Sequence, residues 1–216
     1  MRNIDLEHWP RREHFEVYRQ FDYPHINVTI SVDVSKFHPW IKARGDSITL
    51  AVSYLLARVA NSLDAFRLRI RGDQVIEHEI VSPSFTVLLE NELFSFCTVK
   101  YVDDYGEYHK LGEDRIAEVR RHPTLKDEPG QDDLLFMTNL PWIHFTGLMH
   151  PIQMSPADSI PRLAWGRIEP HDNRLRMPLS VQVHHALMDG LHVGRYIEQV
   201  QHLHNHPDEL LHAPSV

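Results

Sequence analysis

The sequence predicts a mixed α/β domain in which helices cover a β-sheet, on three observations. Ile26, Val28, Ile30 and Val32 alternate with Asn27, Thr29, Ser31 and Asp33, the period of a half-buried strand. Ser47 to Leu63 is a largely apolar run of helical length. Leu179, Val181 and Val183 alternate with Ser180, Gln182 and His184, after which the period changes and Val193, Ile197, Val200 and Leu203 recur at helical spacing. Strands outnumber helices but the two interleave, which fits a covered sheet better than a helical bundle or an all-β sandwich.

The remaining elements follow in chain order. Phe66 to Arg71 and Val75 to Ile80 surround Gly72-Asp73-Gln74 and read as a hairpin, and Phe85 to Leu89 and Phe94 to Val102 as two further strands. Tyr105 to Arg121 reads as a helix, and Pro123 to Asp133, with Pro129-Gly130 inside it, as a long surface loop. Strands near Leu134 to Asn139, Leu163 to Ile168 and Leu175 to His185 complete the sheet. The final helix begins near Gly190, with Asp189 placed to cap it.

A chain of 216 residues with 42% hydrophobic residues can bury one full core, so a single domain over residues 1–216 is expected. A net charge of -8, without a long Lys/Arg block, argues against a nucleic-acid partner. No stretch of about 18 apolar residues occurs, and Met1-Arg-Asn-Ile-Asp-Leu-Glu lacks the apolar run of a signal peptide, so a soluble, cytoplasmic protein without a membrane partner is expected. Cys97 is the only cysteine, which excludes an intrachain disulfide and suits a small buried hydrophobe. Seventeen histidines raise the question of a metal, but their spacing matches no zinc framework. His202, His204 and His206, just before Pro207, read as a solvated tail at a helix end, and no metal is expected.

His184-His185-Ala186-Leu187-Met188-Asp189-Gly190 spans a strand end, a turn and a helix start. Continuing the strand alternation puts His185 on the apolar side, rigidly held beside a bend. A neutral imidazole fixed there by one nitrogen can accept a proton on the other at physiological pH. The His-x-x-x-Asp spacing alone does not separate a catalytic histidine from a satisfied core residue.

The wider wording, Met177-Pro-Leu-Ser-Val-Gln-Val-His-His-Ala-Leu-Met-Asp-Gly-Leu-His-Val-Gly-Arg195, resembles the signature of the chloramphenicol acetyltransferase family. Trp9-Pro-Arg-Arg-Glu-His-Phe-Glu-Val-Tyr18 is similar to that family's amino-terminal segment, and Thr138-Asn-Leu-Pro-Trp-Ile-His-Phe145 to its Ser-x-Leu-Pro-Trp segment. The three matches keep the family's order over nearly the whole chain. The resemblance implies a chloramphenicol acetyltransferase-like two-layer sandwich, a large mixed β-sheet covered by helices, assembled as a homotrimer with active sites between subunits. It implies direct transfer of acetyl from acetyl-CoA to a hydroxyl of a small molecule, chloramphenicol or another hydroxylated acceptor, and hence a place in antibiotic resistance.

By the same resemblance His185 is the general base, and Thr138, where the family usually has serine, is the donor to the tetrahedral oxyanion. Asp189 pairs with Arg11 and holds the loop rather than orienting the histidine. Tyr18 and Phe94 match residues lining the acceptor pocket. Other walls differ from the family: Val17 replaces a phenylalanine, Phe96 a much smaller residue, His150 an aliphatic one and Leu125 an aromatic one. Ala164 replaces a threonine that helps bind the antibiotic through water. Several such changes together are expected to make chloramphenicol a weak acceptor. Arg167 aligns with a lysine near the coenzyme, although Ile168 replaces the neighbouring aromatic residue, and no Gly-rich phosphate loop is present.

Two alternatives share the resemblance. One is the acyltransferase core of a 2-oxoacid dehydrogenase complex, which has the same His-x-x-x-Asp-Gly ending but sits behind lipoyl-bearing segments and linkers that these 216 residues do not contain. The other is a non-catalytic trimeric binding protein of the same fold, against which the intact His185, Asp189 and Arg11 weigh.

Overall fold

The computed structural model describes residues 1–126 and 130–212. The chain opens with β1 (Arg2–Asn3), α1 (Arg12–Tyr18), β2 (His25–Asp33), α2 (Phe37–Arg44), α3 (Ile48–Asn61) and α4 (Asp64–Arg67). It continues through β3 (Leu68–Arg71), β4 (Gln74–Glu77), β5 (Ser82–Leu88), β6 (Phe94–Thr98) and α5 (Tyr105–Arg121). The last elements are β7 (Leu134–Leu140), β8 (Arg162–Gly166), β9 (Glu169–His171), β10 (Arg174–His184), α6 (Gly190–Asn205) and a 3-10 helix, Pro207–Leu211.

The main sheet runs β2-β10-β8-β7-β5-β6, with β9 paired to β10, and β1-β4-β3 form a small second sheet. β7 is parallel to both β5 and β8, while β10 is antiparallel to β2 and β8, so the sheet is mixed. Register brings Thr29, Ser180, Ala164 and Thr138 side by side across β2, β10, β8 and β7. Alternation gives the two faces different chemistry. Val181, Leu163, Met137 and Phe85 face a core shared with α2, α3, α5 and α6. The opposite face carries the Thr29–Thr138 row with Gln182 and Arg162.

The helices answer to their sequences. α3 is buried along Leu50–Ala57, Val59 and Ala60, which is why most of its residues are apolar, and the Ser47 hydroxyl accepts from Leu50 N–H as its N-cap. α5 approaches α3 at Gly112, where a Cβ would lie 2.4 Å from Leu50 Cδ2.

Several expectations shift. The strand expected from Phe66 begins at Leu68, because Phe66 sits in α4, fully buried with its ring centroid 4.3 Å from that of Tyr196. The hairpin loop is Gly72-Asp73, with Gln74 already paired to Arg71 and Gly72 at φ 58°, where glycine has no steric penalty. The strand expected to reach Ile80 ends at Glu77, and the one expected to reach Val102 ends at Thr98, beyond which Tyr101 N–H donates to the Ser82 hydroxyl at 3.1 Å. β8 stops at Gly166, where Ile143 O would lie 2.4 Å from any Cβ. Nothing in the apolar periodicity announced α1, α2 or β9. Residues 127–129 of the expected surface loop lie outside the described residues.

The solvated-tail reading of the last helix fails at His204, which is fully buried, with the Phe37 ring edge-on at 4.7 Å. Cys97 is fully buried, and burial pushes its thiol up to about 12. Among the described residues no helix is long and apolar enough to cross a membrane.

Candidate active site

His185 is the first residue past the end of β10, the strand between β2 and β8. Its backbone N–H donates to Pro24 O at 2.7 Å, fixing the start of the turn. Its ring Nδ1 lies 3.0 Å from Met188 O. A carbonyl can only accept, so Nδ1 carries the proton and Nε2 the lone pair. The Tyr18 ring stacks on the imidazole, centroids 4.1 Å apart and planes 28° from parallel. Beneath the turn, Phe15 of α1 packs with Ala186 and Leu187 in a second apolar cluster.

Arg11 clamps the backbone of this turn. It donates to Ala186 O at 3.3 Å, to His185 O at 2.9 Å and to Asp189 Oδ2 at 2.7 Å. Asp189 Oδ1 accepts from Leu191 N–H at 3.0 Å as the N-cap of α6 and lies 2.9 Å from His192 Nδ1. Burial raises the Asp189 carboxyl, but the hydrogen bonds from Arg11 and His192 outweigh it and hold the group well below the usual carboxylate range.

His184 points to the opposite side of the strand. It is buried, its Nδ1 accepts from Ala186 N–H at 3.2 Å, and the His25 ring stands edge-on at 5.0 Å. Burial, reinforced by His25, pushes it down to about 4, so it is neutral near pH 7.

Thr138 lies on the polar face of β7 and lines a cleft of ≈ 890 Å³ with Phe94, Phe96 and His150. The outer wall is tied to the sheet. Ser180 Oγ donates to Leu148 O at 3.1 Å, Asn27 donates to the same carbonyl, and His150 N–H donates to Gln182 Oε1 at 2.9 Å. Neither ring nitrogen of His150 has a protein partner among the described residues, and burial lowers its pKa, so the ring is neutral.

The structure therefore gathers the expected residues into two groups. Thr138, Phe94, Phe96 and His150 share the cleft; His185, Arg11, Asp189 and Tyr18 share the turn. Ala164 is fully buried directly beside Thr138 in the register. Leu125 is 59% exposed and outside the cleft, because the loop is pinned one residue earlier, where Phe96 N–H donates to Thr124 O at 3.0 Å. Arg167 is half-exposed and bound to Glu169, its Nε 2.6 Å from Oε1.

The two groups are far apart within one chain. Thr138 stands level with Ser180, and His185 lies five residues beyond Ser180, about 16 Å along the strand direction. Sequence reasoning missed Met188, whose carbonyl sets the His185 tautomer. Any residue type supplies such a carbonyl, so no signal marked it.

The family model described as "Chloramphenicol acetyltransferase" matches residues 1–201. A chloramphenicol acetyltransferase of Streptomyces acrimycini is 34% identical over 207 residues, covering 93% of this chain and 92% of that protein. Chloramphenicol acetyltransferase 2 of Haemophilus influenzae is 31% identical over 201 residues, covering 92% of this chain and 94% of its own. A solved structure named chloramphenicol acetyltransferase superposes with a TM-score of 0.82 at 24% identity, over 92% of this chain and 97% of its own, and so has the same fold.

Proposed function

The chain belongs to the chloramphenicol acetyltransferase family and is an acyltransferase, and from that premise we propose that it moves acetyl from acetyl-CoA to a hydroxyl of a small molecule, with His185 as general base. The observation that carries this reading is the His185–Met188 hydrogen bond, which leaves Nε2 as the acceptor. Nε2 takes the proton of the acceptor hydroxyl as its oxygen attacks the thioester carbonyl. The tetrahedral oxyanion accepts a hydrogen bond from the Thr138 hydroxyl. Collapse breaks the carbon–sulfur bond, and the proton on His185 passes to the departing thiolate. The products are an acetyl ester and CoA, with no acyl-enzyme.

The distance between the His185 turn and the Thr138 cleft supports a second part of the proposal. A head-to-tail ring, a homotrimer in this reading, sets the turn of one copy over the cleft of the next and completes each site at an interface. Arg167 contributes to holding the coenzyme once its pairing with Glu169 is exchanged for a phosphate. The core, which runs from Val32 to Leu210, supports a single domain, and the acyl donor together with one buried cysteine supports a cytoplasmic enzyme.

Acceptor-dependent release of CoA thiol from acetyl-CoA tests the reading, with chloramphenicol and other primary and secondary alcohols as acceptors. Turnover of at least one hydroxyl acceptor is expected. Chloramphenicol should rank low, because Phe96 and His150 alter the cleft and Ala164 offers no hydroxyl. Release with dihydrolipoamide alone would mark a 2-oxoacid dehydrogenase-type core, and no release with any acceptor a binding protein. A low-micromolar KM and high turnover for chloramphenicol would overturn its ranking.

A further inference from the structure

The histidines at the end of α6 do not share one environment. His204 is buried, whereas His202 and His206 stay exposed, their ring centroids 4.5 Å apart. The chain then enters the 3-10 helix, which folds Glu209 back beside them. His202 Nε2 is 3.1 Å from each Glu209 carboxylate oxygen, and one donor atom from each of His202, His206 and Glu209 lies within 4.8 Å of the other two. Sequence spacing showed no metal framework because Glu209 joins the set only through this turn.

Four features suit a divalent cation. Two donors bound to a tetrahedral zinc at about 2.05 Å stand about 3.3 Å apart, close to the His202–Glu209 separation, and a small side-chain rotation of His206 supplies the third. His206 Nδ1 donates to His202 O at 3.0 Å, which fixes the tautomer with the lone pair on Nε2, as the outer hydrogen bond of a metal-bound histidine does. The set also sits at the last turn of α6, the negative end of the helix dipole. Glu209 is presented on a fixed backbone, since Arg58 Nη1 donates to Glu209 O at 2.8 Å and to His212 O at 2.9 Å.

We propose that His202, His206 and Glu209 form an open surface site for zinc or a similar borderline transition-metal cation, with water completing the shell. The site is separate from acetyl transfer, lying at the end of a 16-residue helix about 24 Å from its Asp189 cap. Its role is to clamp the 3-10 helix to α6.

Zinc chloride titrated by calorimetry into the assembled protein at pH 7.5 should fill one site per chain, and at about 100-fold over the dissociation constant it should raise Tm by roughly 5–10 °C. His206→Ala and Glu209→Gln should each weaken binding by roughly 10–100-fold or more. His171→Ala, an exposed histidine elsewhere, should change nothing. Affinity should fall with pH as protons compete for the imidazoles. The proposal is overturned if zinc shows no saturable binding of one ion per chain, or if His206→Ala binds it as tightly as the wild-type protein.

Discussion

Arg11 and Asp189, 178 positions apart in sequence, meet at 2.7 Å, and the same guanidinium holds the carbonyls of His185 and Ala186. The aspartate four residues after the histidine thus fixes the backbone of the turn, while the ring is oriented by Met188 O. Arg11 is 12% exposed and Asp189 33%, a half-buried pair whose loss leaves one charge without its partner.

Asp189→Asn should therefore act on stability and rate together. The loss of a charge-assisted bond and part of a helix cap amounts to about 1–3 kcal/mol, or a Tm lower by about 2–12 °C in a chain of this size. Calorimetric melting beside steady-state turnover checks it. A wild-type melt with lost turnover would restore a direct orienting role for the carboxylate.

His185→Ala should lower turnover by roughly 10²–10⁴ with the fold intact, the usual range for a positioned base. His184→Ala should behave differently, because that ring is buried against His25 and turned away from the bend. Its main effect should be on melting. Near-normal rates for His185→Ala at equal oligomer content would remove the mechanism.

Thr138→Ala should lose about 2.7–4 kcal/mol of transition-state stabilisation, as for a single oxyanion donor, with little change in Tm. Thr138→Ser keeps the hydroxyl and should keep most of kcat. Equal rates for Thr138→Ala and the wild-type protein would assign the oxyanion to another donor.

Co-expression should show whether neighbouring chains complete each other's sites. His185→Ala and Thr138→Ala homo-oligomers should both be nearly inactive. If one chain supplies the base and the next the donor, random mixing leaves about a quarter of the interfaces with both groups intact, and activity should recover to about that fraction. No recovery in verified mixed oligomers would favour sites built within one chain.

The pH dependence of stability should carry the mark of His184. Its folded pKa, about 4, lies below the unfolded value near 6.5. Its contribution is therefore fully present above about pH 6.5 and is lost as pH falls towards 4, with a slope of up to about 1.4 kcal/mol per pH unit. His25, Asp158 and His185 are the titratable neighbours that set the shift, with burial as its main cause. Denaturant unfolding at pH 7, 6 and 5 should give a shallower dependence for His184→Gln. Parallel curves for the two proteins would show that His184 does not titrate in this window.

Much of the scaffold was legible because its residues advertise their environment at short range. α5 matches its expected bounds, and β2 and β10 each match to within one residue at either end, since each presents a clear period. α1 and α2 escaped notice because short helices rich in charged or aromatic residues carry little periodic signal. Phe66 reads as strand from its neighbours because the partner that buries it in α4, Tyr196, is 130 positions away. Motif wording singled out His185, Asp189, Arg11 and Thr138, and the resemblance implied sites between subunits, but which of the four stand together was not legible.

The sequence by itself determined the class of fold and the family and singled out the candidate side chains, because periodicity and motif wording are properties of neighbouring residues. Tertiary structure alone decided which nitrogen of His185 is free, which face of the sheet opens into the cleft and how far His185 lies from Thr138. It also decided that Glu209 returns to His202. Each of these depends on the direction of a carbonyl, the register between strands or the path of a turn, quantities set by contacts among residues distant in the chain.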